Sequence, residues 1–371
     1  MEVRYIAPGE EETCNNFHNK WFGRNRSIGQ WKWEFIPRIY KEPPIPFAVA
    51  VDKGKIIGTQ AFIPIRMIDQ NGIYWTAKSE ETLVDPAYRG QGLSPKMYSL
   101  LFEYAIERDL AYVWGFTTAV KALIPSNFEF PFNTSQLFMP FSNRSIPAMM
   151  KKNVYGKKES FKDGLKISSL RSACVLAEAI SAFRVASLKR KSNWDFEIRT
   201  MTTPDNQAGE LCDRFIKKWG GTTIYRDSEY LQWRLFENPY VKSIIKGVYD
   251  KDELLGWVAL TISDDGMGSI VDLMAPCDNS KYTPKDLIRA MLLEAIIGTR
   301  NMGATGVRDW HVNNHGFDKL IYEVAREIGF YHVKRGSTFV NYTSDAGRKR
   351  DPNDKFDNWY ISRIYTDGTS G

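Results

Sequence analysis

Apolar positions along the chain switch between a spacing of two and a spacing of three to four, and the switching recurs. Phe47-Ala48-Val49-Ala50-Val51 reads as a strand and Asp52-Lys53-Gly54-Lys55 as a turn. Ile56-Ile57-Gly58-Thr59-Gln60-Ala61 then returns as a strand entered through a glycine. About 200 residues later the order repeats, with Ile244–Val248, a turn at Asp250–Glu253, and Leu254-Leu255-Gly256-Trp257-Val258-Ala259. Trp33-Glu34-Phe35 precedes the first hairpin and Trp233-Arg234-Leu235-Phe236 the second. Strands end at Thr82–Pro86 and at Asp272–Pro276. Helical spacing follows each, carried by Leu93, Met97, Leu100, Leu101 and Tyr104, and by Leu287, Ala290, Met291 and Ala295. Strands at Ala111–Phe116 and Gly306–His311 come next, then a short helix and a turn near Asn127-Phe128 and Gly329-Phe330.

The pattern predicts two copies of one α/β unit. Each has a helical start, an antiparallel hairpin or meander, a strand, a helix, a strand, a helix and a final strand. The fold class is α/β, an α+β mixed sheet with helices on both faces. Boundaries fall at 1–150 for the first domain, 151–194 for a helical connector, 195–345 for the second domain and 346–371 for a tail. The connector's apolar run, Leu170–Leu188, carries Arg171, Glu178 and Arg184, too many charges for a membrane span. In the tail, 348–354 reads as a charged linker and Phe356–Tyr365 as a strand-like segment that docks back.

Composition narrows the class. A length of 371 residues exceeds an ordinary single domain. The 43% hydrophobic and 25% charged residues are those of a globular protein with a sizeable core. A net charge of +6 suits an anionic ligand, but no basic arm points to nucleic acid. Cys14, Cys174, Cys212 and Cys277 are far apart, which excludes a CxxC redox or zinc motif. His311 and His315 have no third ligand nearby, so no metal is expected. Without a signal peptide at the start, the expected compartment is the cytoplasm, as a monomer or homodimer.

The strongest chemical signal is Val84-Asp85-Pro86-Ala87-Tyr88-Arg89-Gly90-Gln91-Gly92-Leu93-Ser94. A strand ends at proline and a glycine-rich loop leads into a helix. Ser94 is placed to cap that helix and Pro95 to open it. Unpaired helix N–H groups, flexible glycines and the Arg89 charge together make an anion site of the kind that holds a pyrophosphate.

This stretch resembles the pyrophosphate loop of the GNAT superfamily of acyl-CoA N-acyltransferases, Q/R-x-x-G-x-G/A, with Arg89, Gly92 and Ser94 at the patterned positions. The resemblance implies acetyl-CoA (acyl-CoA) as co-substrate. It implies that Leu83 and Val84 pair with the pantetheine arm and that the amides of Gln91, Gly92, Leu93 and Ser94 hold the pyrophosphate beside Arg89 and Gly90. Asn314–Phe330 resembles the family's asparagine-started helix, with Tyr322 at the usual aromatic site. The second half lacks the arginine–glycine loop, and Asp278 there repels phosphate. The chain therefore resembles two tandem GNAT-like domains, the first with an intact loop and the second degenerate.

Glu80 and Glu81 occupy the strand where relatives place a general base, and strand alternation points them to opposite faces. Glu81 is preferred. No tyrosine stands where relatives keep a general acid in the first half, which leaves Tyr112, water or the second domain. Trp31 and Trp33 lie where the family borders its acceptor site, and His311 closes a strand beside Asp309. All three are candidate substrate contacts with Tyr322. The segments 233–239 and 357–360 resemble proteins of bacterial surface-polysaccharide synthesis. The expected reaction is N-acetylation of a small amine, with an amino sugar or nucleotide-linked amino sugar as acceptor. A Fem-type aminoacyl transferase and a non-catalytic acyl-CoA-binding module are the alternatives.

Overall fold

The computed structural model describes residues 1–42, 44–142, 144–145, 174–175, 178–190, 194–334, 336–351 and 356–366. The chain forms two compact units. One comprises Met1–Asn133, Thr222–Tyr225 and Ser337–Asp357, the other Thr134–Gly221, Arg226–Gly336 and Asn358–Gly371.

The first unit opens with β1 (Glu2–Tyr5), α1 (Glu11–Phe22) and α2 (Ile28–Phe35). β2 (Phe47–Asp52), β3 (Lys55–Asp69) and β4 (Gly72–Val84) form an antiparallel meander. The helix α3 (Leu93–Glu107) then brings β5 (Tyr112–Thr117) back parallel to β4, and a short α4 (Val120–Leu123) follows. Five of the six main strands are therefore contiguous in sequence. α3 turns Met97, Tyr98, Leu101, Tyr104 and Ala105 into one core with Ala48, Ala50, Phe62, Ala77 and Val113. Their spacing of three and four puts them on one helix face. Each large side chain so buried contributes about 1.5–3 kcal/mol.

The second unit repeats the plan. The helical stretch α5 (178–190) and β6 (Ser135–Pro140) come first in its chain, then β7 (Glu197–Met201) and α6 (Ala208–Trp219). β8 (Thr223–Ile224) belongs to the first unit, where it pairs with β3. α7 (Ser228–Leu231) precedes β9 (Ile244–Asp250), β10 (Glu253–Ile262) and β11 (Gly268–Met274), again an antiparallel meander. α8 (Pro284–Asn301) returns the chain to β12 (Gly306–His311), parallel to β11, and α9 (Gly316–Ile328) leads to β13 (Tyr331–Val333). The hairpin glycine has a steric cause here: a Cβ on Gly256 would lie 2.6 Å from the Met274 carbonyl oxygen.

Two strands depart from the repeat. β6, the last strand of the first half, pairs with β12 from Gly306↔Pro140 to His311↔Ser135. β14 (Thr338–Thr343), the last of the second half, pairs with β5 from Thr338↔Thr117 to Thr343↔Tyr112. The sheets run β1-β2-β3-β4-β5-β14 and β13-β6-β12-β11-β10-β9-β7. The boundary expected at 150 thus moves to 133–134, and 337–345 joins the first unit. Alternation reveals that a segment is a strand but not which of two equivalent edges it completes.

The tail differs as well. α10 (Asp345–Arg350) is helical where a linker was expected, and 352–354 lie outside the described residues, as does most of 151–194. Phe356–Asn358 and Arg363–Tyr365 are single 3₁₀ turns, not a strand, and Trp359, Tyr360, Ile361 and Ile364 are buried. Among the described residues no helix is long and apolar enough to cross a membrane.

Candidate functional site

The parallel pair β4/β5 is in register at Ala77↔Val113 and Lys78↔Trp114, and just before it the Ala111 amide donates to the Trp75 carbonyl at 2.9 Å. From there to Val84 the β5-facing edge of β4 has no strand partner among the described residues. A bulge lies in this stretch. Thr59 faces Leu83 and Ala61 faces Glu80, so Gln60 opposes both Glu81 and Thr82. Glu81 is the distorted residue, at a left-handed φ of +61°, an uncommon and strained conformation for a side chain of its size.

Gln60 stitches the bulge together. Its Nε2 donates to the Glu80 carbonyl at 2.9 Å and to Ser79 Oγ at 3.1 Å, and its Oε1 accepts from Thr82 Oγ1 at 2.6 Å. The Tyr98 hydroxyl on α3 lies 2.9 Å from both Ser79 Oγ and Thr82 Oγ1. Two residues three apart reach one partner, so strand alternation is broken between them. The expectation that Glu80 and Glu81 take opposite faces by simple alternation therefore does not hold.

Beyond β4, Asp85 accepts from the Ala87 amide at 2.9 Å and Pro86–Tyr88 make one 3₁₀ turn. Gly90 and Gly92 have φ of +78° and +71°. A Cβ on either would meet no protein atom within 4 Å, so what they supply is left-handed backbone. The turn at Gly92 starts α3 at Leu93, two residues before the expected Pro95. Gly92 is the N-cap, with no side chain bonded across it and no acidic residue in the first turn. The helix N-terminus is therefore open to an external anion. Leu93 is buried and offers its amide alone, and Gln91 is exposed. Arg89 is exposed and folds its Nε back to the Val84 carbonyl at 3.2 Å. Arg89→Ala is expected to weaken acetyl-CoA binding about tenfold at low salt and less at high salt, as for a solvent-screened charge. Calorimetry at two salt concentrations reads this, and an unchanged Kd at both removes Arg89 from the site.

The matching helix of the second unit is closed. Thr283 caps α8 by accepting from the Asp286 amide at 3.2 Å, and Asp286 sits in the first turn. Asp278 is held by Arg214 through two contacts of 2.8 Å. The β11 bulge recurs, with Ala259↔Asp272 and Leu260↔Ile270 leaving Val271 as the extra residue. A valine thus stands where the first unit has Glu81.

Glu81 does not have the surroundings of a free base. Arg26 donates from Nη2 to Oε1 at 2.6 Å and from Nη1 to Oε2 at 3.2 Å, and His18 Nδ1 lies 2.9 Å from Oε2. Arg26 also donates to Asn15 Oδ1 at 2.7 Å and to Glu34 Oε2 at 3.2 Å. Burial pushes the Glu81 carboxyl up, but the His18 contact and the Arg26 charge outweigh it and hold it below the usual carboxylate range. An efficient base titrates near the working pH, so this carboxylate is committed to its partners instead. A carboxyl with a lowered folded pKa adds stability above its unfolded value, 4.5, and loses it as pH falls through the folded value. Glu81→Gln is accordingly expected to flatten the fall in urea midpoint below about pH 4.5. An unchanged acid limb refutes this. Glu80 is paired with Lys78 and partly exposed.

Tyr112 is buried and donates weakly to the Gly347 carbonyl at 3.4 Å, next to the closed end of the β4/β5 pair, so it is not placed as the acid. Trp31 is fully buried against Phe35 and Phe47, each 5.3 Å away between ring centroids, and is a core residue rather than a stacking platform. Trp33 is half-buried on the same short helix. In the second unit the structure brings His311 and Tyr322 together, rings 4.6 Å apart and 20° from parallel. His311 is buried, with Nδ1 3.0 Å from Asp318 Oδ2. The helix α9 starts at Gly316 and is capped by His315, not Asn314. His315 spends its other ring nitrogen on the Gly220 carbonyl at 3.2 Å. Among the described residues no cluster of metal-ligating groups occurs. His18, Arg26, Gln60 and Tyr98 escaped the sequence reading because their partners are distant in sequence.

Residues 2–130 match the family model of the acetyltransferase (GNAT) domain. No curated protein sequence is similar to the chain. Solved structures that share its fold include the following three. A GCN5-related N-acetyltransferase from Anabaena variabilis aligns at TM-score 0.60 and 11% identity, over 92% of this chain and 72% of its own. A probable N-acyltransferase from Enterococcus faecalis aligns at 0.57 and 10%, over 92% and 72%. The Saccharomyces cerevisiae N-myristoyltransferase, solved with myristoyl-CoA and inhibitors, aligns at 0.56 and 10%, over 92% and 80%. By sequence over residues 2–130, and by fold over 92% of its length, the chain is similar to the GNAT acyltransferases.

Proposed function

We propose that the protein is an acetyl-CoA-dependent N-acetyltransferase acting on a small amine, and that its first unit carries the activity. The observation that supports this most is the uncapped N-terminus of α3, reached through two left-handed glycines at the end of an unpaired strand edge. A phosphate there meets N–H donors, a favourable helix dipole and no acidic side chain in the first turn. The amides of 91–94 and Arg89 would hold the pyrophosphate, and the edge of Leu83 and Val84 the pantetheine arm. Acetyl-CoA supplies an activated acyl group as a thioester. The chain's own work is to align that group, to receive the amine and to manage its proton.

An amino sugar or nucleotide-linked amino sugar is the proposed acceptor, on the resemblance of 233–239 and 357–360. A non-catalytic acyl-CoA-binding role is the second reading, favoured by the commitment of Glu81 to Arg26. Calorimetry with acetyl-CoA, CoA and ATP, followed by thiol release with an amine panel, tests both. One acetyl-CoA site per chain and amine-dependent thiol release support the enzyme, and binding without release supports the second reading. No CoA binding sinks both.

A further inference from the structure

We propose that His18 takes the proton from the acceptor amine and that Glu81 holds its ring in the tautomer that can do so. The inference rests on the acyltransfer reading of the same site. Glu81 belongs to the stretch of β4 beyond its last pair with β5, and the bulge turns its carboxylate to α1. His18 on α1 places Nδ1 2.9 Å from Oε2, off the ideal hydrogen-bond line. Contacts of this kind often align only in the loaded complex. The Arg26 guanidinium keeps the carboxylate an acceptor, so the proton between the two groups belongs to Nδ1. Nε2 is then a lone pair, and it is buried with no hydrogen-bond partner. His18 is only 8% exposed, and an orphaned polar atom at that depth is costly unless something comes to meet it.

Arg26 carries one positive charge against the two carboxylates Glu34 and Glu81. Cys14, one turn earlier on α1, is a neutral thiol because burial pushes it up to about 12. Lys78 and Glu80 on β4 balance each other. Phe22, the last residue of α1, lies 4.5 Å from the His18 ring between centroids and is 51% exposed. It is an apolar cover at a helix end, where movement is least costly. In the reaction, Nε2 takes the amine proton as the N–C bond forms and the C–S bond breaks, and returns it to the departing thiolate. Amine plus thioester thus give amide plus thiol.

The test is thiol release from acetyl-CoA with glucosamine, spermidine and lysine by the full chain. His18→Gln is expected to keep the calorimetric Kd for acetyl-CoA and the amine KM, and to lower kcat about 10²-fold at neutral pH. The deficit is expected to shrink as pH rises and the amine sheds its own proton. Added imidazole is expected to restore part of the rate in His18→Gly. Glu81→Gln is expected to lower kcat less, and long-range ¹H–¹⁵N NMR to show His18 leaving the Nδ1–H tautomer. Wild-type turnover and pH profile in His18→Gln, or Nδ1 without a proton in the wild type, overturns this assignment alone. A wild type that binds acetyl-CoA yet releases no thiol with any of the amines overturns the acyltransfer reading as well.

Discussion

Gly92→Glu is expected to leave the protein folded and to weaken acetyl-CoA binding by about 10²-fold or more. Holding a glutamate in the left-handed region costs roughly 1–2 kcal/mol. A Cβ at Gly92 meets nothing within 4 Å, so no clash is added. The new carboxylate lies at a helix N-terminus, where the dipole returns about 0.3–1 kcal/mol. The net loss of stability is therefore small. Binding suffers because the carboxylate occupies the open N–H groups and repels the pyrophosphate. Losing two charge-assisted hydrogen bonds of about 1.5–3 kcal/mol each is enough for the stated fold-change. Gly92→Ala separates the causes, since it keeps the backbone strain without the charge and is expected to bind within a few-fold of wild type. Calorimetry decides. Tight binding in Gly92→Glu places the nucleotide elsewhere, whereas equal losses in both variants make the left-handed turn, not the anion site, the sensitive element.

The second large effect is on stability. Arg26→Ala is expected to destabilise the first unit by about 3–5 kcal/mol, because it removes the guanidinium that Glu81 meets through two hydrogen bonds in the interior. Both side chains are at most 4% exposed, so water cannot substitute. Without Arg26 burial holds the proton on the Glu81 carboxyl more tightly in the folded state than in the unfolded one. Stability in the variant then rises as pH falls, opposite in sign to the wild-type contribution of Glu81. Urea unfolding followed by tryptophan fluorescence measures both. A loss under about 1 kcal/mol, or a deficit that does not shrink in acid, would show that the carboxylate finds other partners.

The hairpins, both central helices and the glycine-rich turn before α3 were legible in the sequence because each depends on neighbours in the chain. The alternation of Phe47–Ala61 and the spacing of Leu93, Met97 and Leu101 determine local shape before any tertiary contact forms. Gly90 and Gly92 announce left-handed backbone by their identity. The start of α3 lies two residues before the expected one because Ser94 is a good cap by type, while the left-handed Gly92 closes the turn earlier. Trp31 was misassigned because a tryptophan in a core and a tryptophan in a pocket look alike in sequence. Glu81 is a candidate by its place on the strand, but its partners are not legible there. They depend on Arg26, 55 residues away, and on a bulge that one extra residue creates. The strands β6 and β14 were visible as strands, yet their pairing is a choice between two similar edges.

That pairing bears on how the chain acquires its structure during synthesis. When the ribosome has released residues 1–133, β5 is present but the strand that covers its edge, 338–343, has not been made. Meanwhile 135–140 waits for 306–311. Neither sheet is complete until nearly the whole chain has emerged, and the nascent first half carries an unpaired parallel-sheet edge throughout. Cutting the gene between the halves would therefore not release two autonomous proteins. Each fragment would display the edge its partner normally fills, and the two halves are expected to be soluble only when co-expressed.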